Sequence, residues 1–268
     1  MFGVTDANYL NSVVDHWFND RENYDGRWQQ IEHHCKGSDR ILDMAAGCGT
    51  FVLYGLNCGH DVFGIEPEEW KREYYRQKIA SSSYPPEFGG RILAGYGESL
   101  PFPNNSFDLV TSYQTLEHVQ DLNACIHEML RITRTGGAVW IITPDYNSFF
   151  EGHYRIPFLP CMNRKLAAAY LRLLGRPVDG LTSLQYVTKK LLLTYLYRSS
   201  FSLRIEDTSK WIATRQRQRI HEILPKSLRR EPVEATLHIC YRIYRSLLSL
   251  RRFARAEGSI SLWITKLS

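Results

Sequence analysis

The residues with most to offer chemically fall in a few short stretches. The first is Asp43-Met44-Ala45-Ala46-Gly47-Cys48-Gly49-Thr50, a carboxylate followed by a run of small residues. Ala45, Gly47 and Gly49 put almost no side chain in the way of an approaching ligand. The amides that open a helix directly after such a turn favour negative charge at the same spot. The second is Glu66, a carboxylate closing an apolar run and able to accept from two hydroxyls at once. A third, Tyr96-Gly97-Glu98, sets a hydroxyl-bearing ring and a carboxylate around a glycine. The fourth runs from Gln114 to Glu117-His118, and His153 follows later in the chain. An imidazole takes a proton near neutral pH, so His118 and His153 are the candidate catalytic residues for an acceptor hydroxyl.

These side chains need a scaffold, and the hydrophobic pattern supplies one. Ile41-Leu42 ends a short apolar run before the small-residue turn, and the apolar pattern resumes at Phe51-Val52-Leu53: a buried strand, a tight turn and a helix start. Strands follow over 61–65, 91–94, 107–112 and 138–143, with helices over 51–57, 68–80 and 121–133. Alternation of this kind gives a doubly wound parallel sheet, an α/β fold with ligands at the carboxyl ends of the strands. An aromatic helical segment covers 5–35, and an excursion over 146–187 carries Phe149, Phe150, His153, Tyr154, Arg155 and Phe158. A helix over 188–200, a strand over 201–206 and an alternating strand over 259–266 complete the outline.

The turn alone leaves two cofactor classes open. A dinucleotide enzyme uses G-x-G-x-x-G, whose third glycine falls here on Val52. The pattern D-x-(G/A)-x-G-x-G fits better and resembles the class I S-adenosylmethionine-dependent methyltransferases, with Ala45 in place of the first glycine. The passage Gly95-Tyr96-Gly97-Glu98-Ser99-Leu100-Pro101-Phe102, with Ser106-Phe107-Asp108-Leu109-Val110 after it, resembles the family's G-D-A-E-x-L-P-F-x-x-x-S-F-D-x-V. Leu116-Glu117-His118-Val119 and Gly136-Gly137 followed by Thr143-Pro144 match two further family signatures.

The resemblance implies a Rossmann-like seven-stranded sheet of order 3-2-1-4-5-7-6, the last strand antiparallel, with helical insertions. It implies S-adenosyl-L-methionine as cofactor, held by Asp43, Ala45, Gly47, Gly49, Glu66, Tyr96, Gly97, Glu98 and Gln114. Glu66 would grip the ribose hydroxyls. Tyr96 replaces the aspartate that usually receives the adenine amino group, and a phenol offers a hydroxyl or a stacking face instead. In some quinone-pathway O-methyltransferases a neighbouring glutamate joins the Glu-His pair to hold a divalent metal. Gln114 stands at that position here, so no metal is expected.

The domain organisation that follows is a single methyltransferase domain over 1–268. It has an N-terminal helical lid (1–37), a cofactor-binding core (38–145), an acceptor-side cap insertion (146–187) and a basic helical insertion (209–257). The chain has 268 residues and a net charge of +5, yet 12 of its Lys and Arg fall within 209–257 against four acidic residues. Such a basic amphipathic stretch can lie on an anionic membrane surface, clamp phosphates, or dock on its own domain. The six cysteines are scattered without C-x-x-C pairing, no apolar run reaches membrane-spanning length, and Met1-Phe2-Gly3-Val4 opens no signal peptide. The expectation is a cytoplasmic protein with peripheral membrane contact through 209–257.

The expected reaction moves a methyl group to a small-molecule acceptor, at an oxygen, on a lipid- or phosphate-bearing molecule. No Asn/Asp-Pro-Pro-Tyr/Phe motif follows the fourth strand, which weighs against nucleobase amines as the target. A nucleic-acid methyltransferase using the basic helices and a non-catalytic cofactor binder are the alternatives.

Overall fold

A computed structural model describes residues 15, 21–35, 39–154, 156–210 and 258–268. The basic stretch over 209–257 lies outside the described residues, apart from 209 and 210, and with it the expected membrane contact. So does most of the expected lid over 1–37; its described part is helix α1 (Arg21–His34), with Asp15 before it.

The strands, in chain order, are β1 (Arg40–Met44), β2 (Asp61–Ile65), β3 (Ile92–Leu93), β4 (Phe107–Tyr113), β5 (Thr133–Pro144), β6 (Phe150–Glu151), β7 (Ile156–Pro157), β8 (Leu203–Asp207) and β9 (Ser259–Lys266). Seven form one sheet in the order β3-β2-β1-β4-β5-β9-β8, while β6 and β7 make a separate hairpin. From β3 to β5 all pairs are parallel, and β9 runs antiparallel to both β5 and β8. Counted within the main sheet this is the expected 3-2-1-4-5-7-6 with one reversed strand.

β1 is central and buried from Ile41 to Met44, as a strand covered on both faces must be. Its side chains alternate between two cores. Ile41 joins Trp28, Phe51, Val52, Trp140 and Trp263 on one face. Leu42 and Met44 join Val110, Ile126, Met129 and Leu192 on the other. The helices packed on the sheet are α1, α2 (Thr50–Asn57), α3 (Glu69–Ala80), α4 (Leu122–Ile132) and α7 (Lys189–Arg198), while α5 (Arg164–Leu173) and α6 (Asp179–Ser183) lie in the excursion after β5. α2 is apolar nearly throughout and buries Phe51, Val52, Leu53 and Leu56. α4 begins where the Asp121 carboxylate accepts from the Ala124 amide at 2.9 Å, a side-chain cap on an otherwise orphaned donor.

Two details depart from the sequence outline. β5 starts at Thr133, directly after α4, rather than at Ala138. The extra residues are absorbed by a shift of register between Phe107 and Leu109, with Gly136 at φ 80°. Gly137 passes so close to β4 that a Cβ would lie 2.7 Å from the Asp108 carbonyl. The excursion after β5 is also more ordered than its pattern suggested. Hairpin β6–β7, α5 and α6 close around their own small core of Tyr154, Ile156, Phe158, Ala167, Leu171 and Leu181. At the far end of β9, the buried Lys266 ammonium donates to Asn105 Oδ1 (2.8 Å), Leu130 O (3.0 Å) and Thr133 O (2.7 Å), which satisfies a charge that burial would otherwise penalise.

Candidate functional site

The chain leaves β1 through three residues with left-handed backbone: Ala45 (φ 60°), Gly47 (φ 58°) and Gly49 (φ 80°). Only glycine takes this region without steric cost, so Ala45 is held there by its surroundings. The turn walls a cavity of about 120 Å³ lined by Arg27, Asp43, Ala45, Ala46, Gly47, Cys48, Thr50 and Tyr113. Gly49 sits behind the wall. A Cβ there would meet Tyr75 Cδ2 at 2.3 Å and Ile92 Cδ1 at 2.6 Å, so the position serves helix–sheet packing.

Asp43 is buried in the floor of the cavity. Its Oδ1 accepts from Arg27 Nη2 at 3.0 Å and from the Thr111 hydroxyl at 2.8 Å. The Arg27 guanidinium lies over the Phe51 ring (4.0 Å) and the Tyr113 ring (4.5 Å), so helix α1 delivers a buried cation to the mouth of the turn. Neither Arg27 nor Thr111 stood out in the sequence. A lone arginine in a polar helix carries no pattern, and its register against β1 is a long-range matter.

Glu66 closes β2 and is buried. Its Oε2 accepts from the Gly47 amide at 2.9 Å and its Oε1 from the Glu68 amide at 3.0 Å, while Lys71 Nζ lies 3.6 Å from Oε1. The carboxylate thus laces the first turn to the second. Arg72 supports it from below by donating to the Glu66 carbonyl.

The remaining cofactor candidates are spread along the same rim. Gly97 packs against the core: a Cβ would lie 2.7 Å from Cys125 Sγ and 3.0 Å from Met44 Sδ. Tyr96 is 63% exposed. Glu98 Oε1 accepts from the Gln120 amide at 2.7 Å, so this carboxylate ties one loop to the next. Gln114 ends β4 in left-handed backbone (φ 50°), exposed, with its amide donating to the Ile142 carbonyl at 2.7 Å.

Beside Gln114 the two catalytic candidates come together. The His118 and His153 rings meet edge to face, 5.1 Å between centroids. Glu117 lies between them and the sheet, fully buried; its Oε2 accepts from the Thr143 hydroxyl at 2.9 Å. Its Oε1 has no hydrogen-bond partner and faces His153 Nε2 at 3.9 Å. On the other edge of that ring, His153 Nδ1 is 2.8 Å from Glu151 Oε1. Burial pushes the Glu117 carboxyl up to about 6 against the opposing Thr143 bond. Packing around the ring, then the neighbouring His153 charge, push the His118 imidazole down to about 4. For His153, burial works against the charged form, but the Glu151 hydrogen bond and the Glu151 and Glu117 charges outweigh it and raise the imidazole.

A family model described as a methyltransferase domain matches residues 42–141, which span β1 to β5 and the whole of the glycine turn. Over this stretch the chain is similar to a methyltransferase domain. An uncharacterized methyltransferase of Mycobacterium sp. (strain KMS) is 32% identical over 126 residues, 47% of each chain. A protein of Mycolicibacterium smegmatis named a probable S-adenosylmethionine-dependent methyltransferase is 30% identical over 171 residues, 63% of this chain and 58% of that one. The chain spans about half the length of the first of these relatives. Among solved structures, a geranyl diphosphate methyltransferase in complex with GPP and sinefungin superposes with a TM-score of 0.53 at 12% identity, covering 92% of this chain and 78% of that one, a likeness of fold.

The excursion after β5 is fastened to the loop that holds Glu117 and His118. The Gln185 amide donates to the Glu117 carbonyl at 2.7 Å, and its side chain donates to Gln120 O at 2.8 Å and to Val119 O. Gln185, Glu151 and the buried role of Glu117 escaped the sequence reading, because each depends on a partner more than 20 residues away or on a hairpin that the pattern did not announce.

Proposed function

We propose that the chain transfers the methyl group of S-adenosylmethionine to an oxygen of a small, amphipathic acceptor bound between the β4–β5 rim and the cap insertion. The observation that carries this reading is the cavity lined by Asp43 and Gly47, with the Gly47 amide bonded to Glu66, together with the cluster of Glu117 and His118 after β4 and His153 from the β6–β7 hairpin. The cavity is far smaller than the roughly 300 Å³ or more that holds a drug-sized ligand, so it suits the amino-acid end of the cofactor. Arg27 would face that carboxylate. The nucleoside would extend over Glu66, whose two oxygens accept from ribose hydroxyls, toward Gly97 and Tyr96.

Methyl transfer needs an acceptor atom in line with the sulfonium carbon, and the leaving group departs as a neutral thioether. The chain must therefore supply geometry and, for a hydroxyl acceptor, a place for the proton. His118 held near 4 is neutral at physiological pH but a weak base, so His153 and Glu117 share that task. A lipid-bearing acceptor is supported by exposed apolar residues on the cap: Leu166 (62%) and Leu173 (84%), seven apart on α5, with Leu159 before it.

The test is incubation with isotopically labelled S-adenosylmethionine and cell extract, followed by separation of lipid, small-molecule, protein and nucleic-acid fractions. Label in the lipid or small-molecule fraction is expected. Label confined to nucleic acid, or none despite cofactor binding, would reject the reading.

A further inference from the structure

We propose that Glu117, His118 and His153 form a binding site for a first-row divalent cation at the acceptor rim. One ligand atom from each lies within 4.8 Å of the others. Two imidazole nitrogens and one carboxylate oxygen make a donor set suited to Zn²⁺, Mn²⁺, Fe²⁺ or Co²⁺ rather than to Mg²⁺ or Ca²⁺. Metal–ligand bonds of about 2.1 Å require donors roughly 3–3.5 Å apart, so the site must contract. The residue free to do so is His118, which stands exposed at the rim.

Two further observations point to a ligand here. Glu117 is wholly buried, yet its Oε1 has no partner and is aimed at His153 Nε2. A buried acceptor left unpaired costs free energy that a cation would recover. The second is the backing of the donors. Glu151 Oε1 holds His153 Nδ1 at 2.8 Å, which leaves Nε2 turned toward Glu117, and the Thr143 hydroxyl holds the other Glu117 oxygen. Carboxylate-backed histidine and a hydrogen-bonded carboxylate are how protein metal ligands are oriented. Glu151 is itself fixed by the Tyr154 amide at 2.6 Å and the Tyr146 hydroxyl at 3.3 Å. The third donor comes from hairpin β6–β7, His153 lying 35 positions beyond His118 and 36 beyond Glu117.

What the cation would do rests on the proposed function. Coordinated to it, an acceptor hydroxyl loses its proton to solvent near neutral pH. The oxygen then forms a bond to the methyl carbon as the carbon–sulfur bond breaks, and the electron pair stays on sulfur. His118 and His153 would act as ligands in that case, and no free general base is needed.

Binding can be tested apart from activity. The full chain, stripped with chelator, is titrated with Co²⁺ and followed by visible absorption, with S-adenosylmethionine binding measured in parallel by calorimetry. One equivalent is expected, with weak d–d bands and without the intense near-ultraviolet bands of a cysteine-bound ion. His118→Ala, at an exposed position, should weaken Co²⁺ binding at least tenfold while leaving cofactor affinity and melting temperature unchanged. His153→Gln should do the same, and Glu117→Gln should also lose binding if it folds. No uptake by the wild-type chain, uptake with thiolate bands, or uptake indifferent to His118→Ala and His153→Gln would overturn the site. Cobalt binding without cofactor binding would instead sink the proposed function and leave the metal site standing.

Discussion

Glu66→Gln separates the bracing of the turns, which the carboxylate performs, from the proposed reception of the cofactor. In the folded chain Glu66 accepts from the Gly47 and Glu68 amides and faces Lys71. Glutamine keeps one acceptor oxygen and turns an NH₂ group toward the other amide. One buried donor is then unsatisfied, a loss of about 2 kcal/mol, and Tm should fall by about 4–8 °C. The cofactor loses a charged acceptor for one ribose hydroxyl, about 1.5–3 kcal/mol, or roughly 10–150-fold in Kd. Thermal melts and calorimetry with S-adenosylmethionine measure the two effects separately. Glu68→Gln is the control: its carboxylate lies at the surface beside Lys71 and should leave Kd within about twofold. Should Glu66→Gln lower Tm but bind the cofactor as tightly as wild type, Glu66 is a brace alone and the ribose assignment is wrong.

Ala45→Gly should stabilise the chain by about 0.5–1 kcal/mol, since left-handed backbone costs alanine more than the extra unfolded-state freedom costs glycine; a lower Tm would count against strain at φ 60°. Arg27→Met strands the buried Asp43 carboxylate with only the Thr111 hydroxyl and should cost about 3–5 kcal/mol by denaturant unfolding. Adding Asp43→Asn should return part of that loss, and a single-variant cost below about 1 kcal/mol would show that the pair is not coupled as described. Gly97→Ala drives a methyl into Cys125 Sγ and Met44 Sδ and should cost about 1–3 kcal/mol; combining it with Cys125→Ala should recover much of the stability if overpacking is the cause.

Local pattern was enough for the architecture. The apolar run ending at Leu42, the small-residue turn and the apolar α2 are features of adjacent residues, and backbone sterics allow few alternatives. Strand order followed because parallel strands joined by helices wind in one hand, and the family likeness added the reversed last strand. The position of Glu66 at a strand end was legible for the same reason.

Tertiary structure decided which side chains are spent on one another. Asp43 could be read as a site residue, but its capture by Arg27 depends on how helix α1 crosses β1. Glu98 has the family's residue type, yet here it fastens the Gln120 loop. Glu117, His118 and His153 belong to one cluster only because the β6–β7 hairpin folds back over the end of β4. Sequence fixes residue types and their local periodicity. Contacts between distant segments arise from packing whole elements against each other, and a hydrogen bond made across that distance leaves no trace in the spacing of either partner.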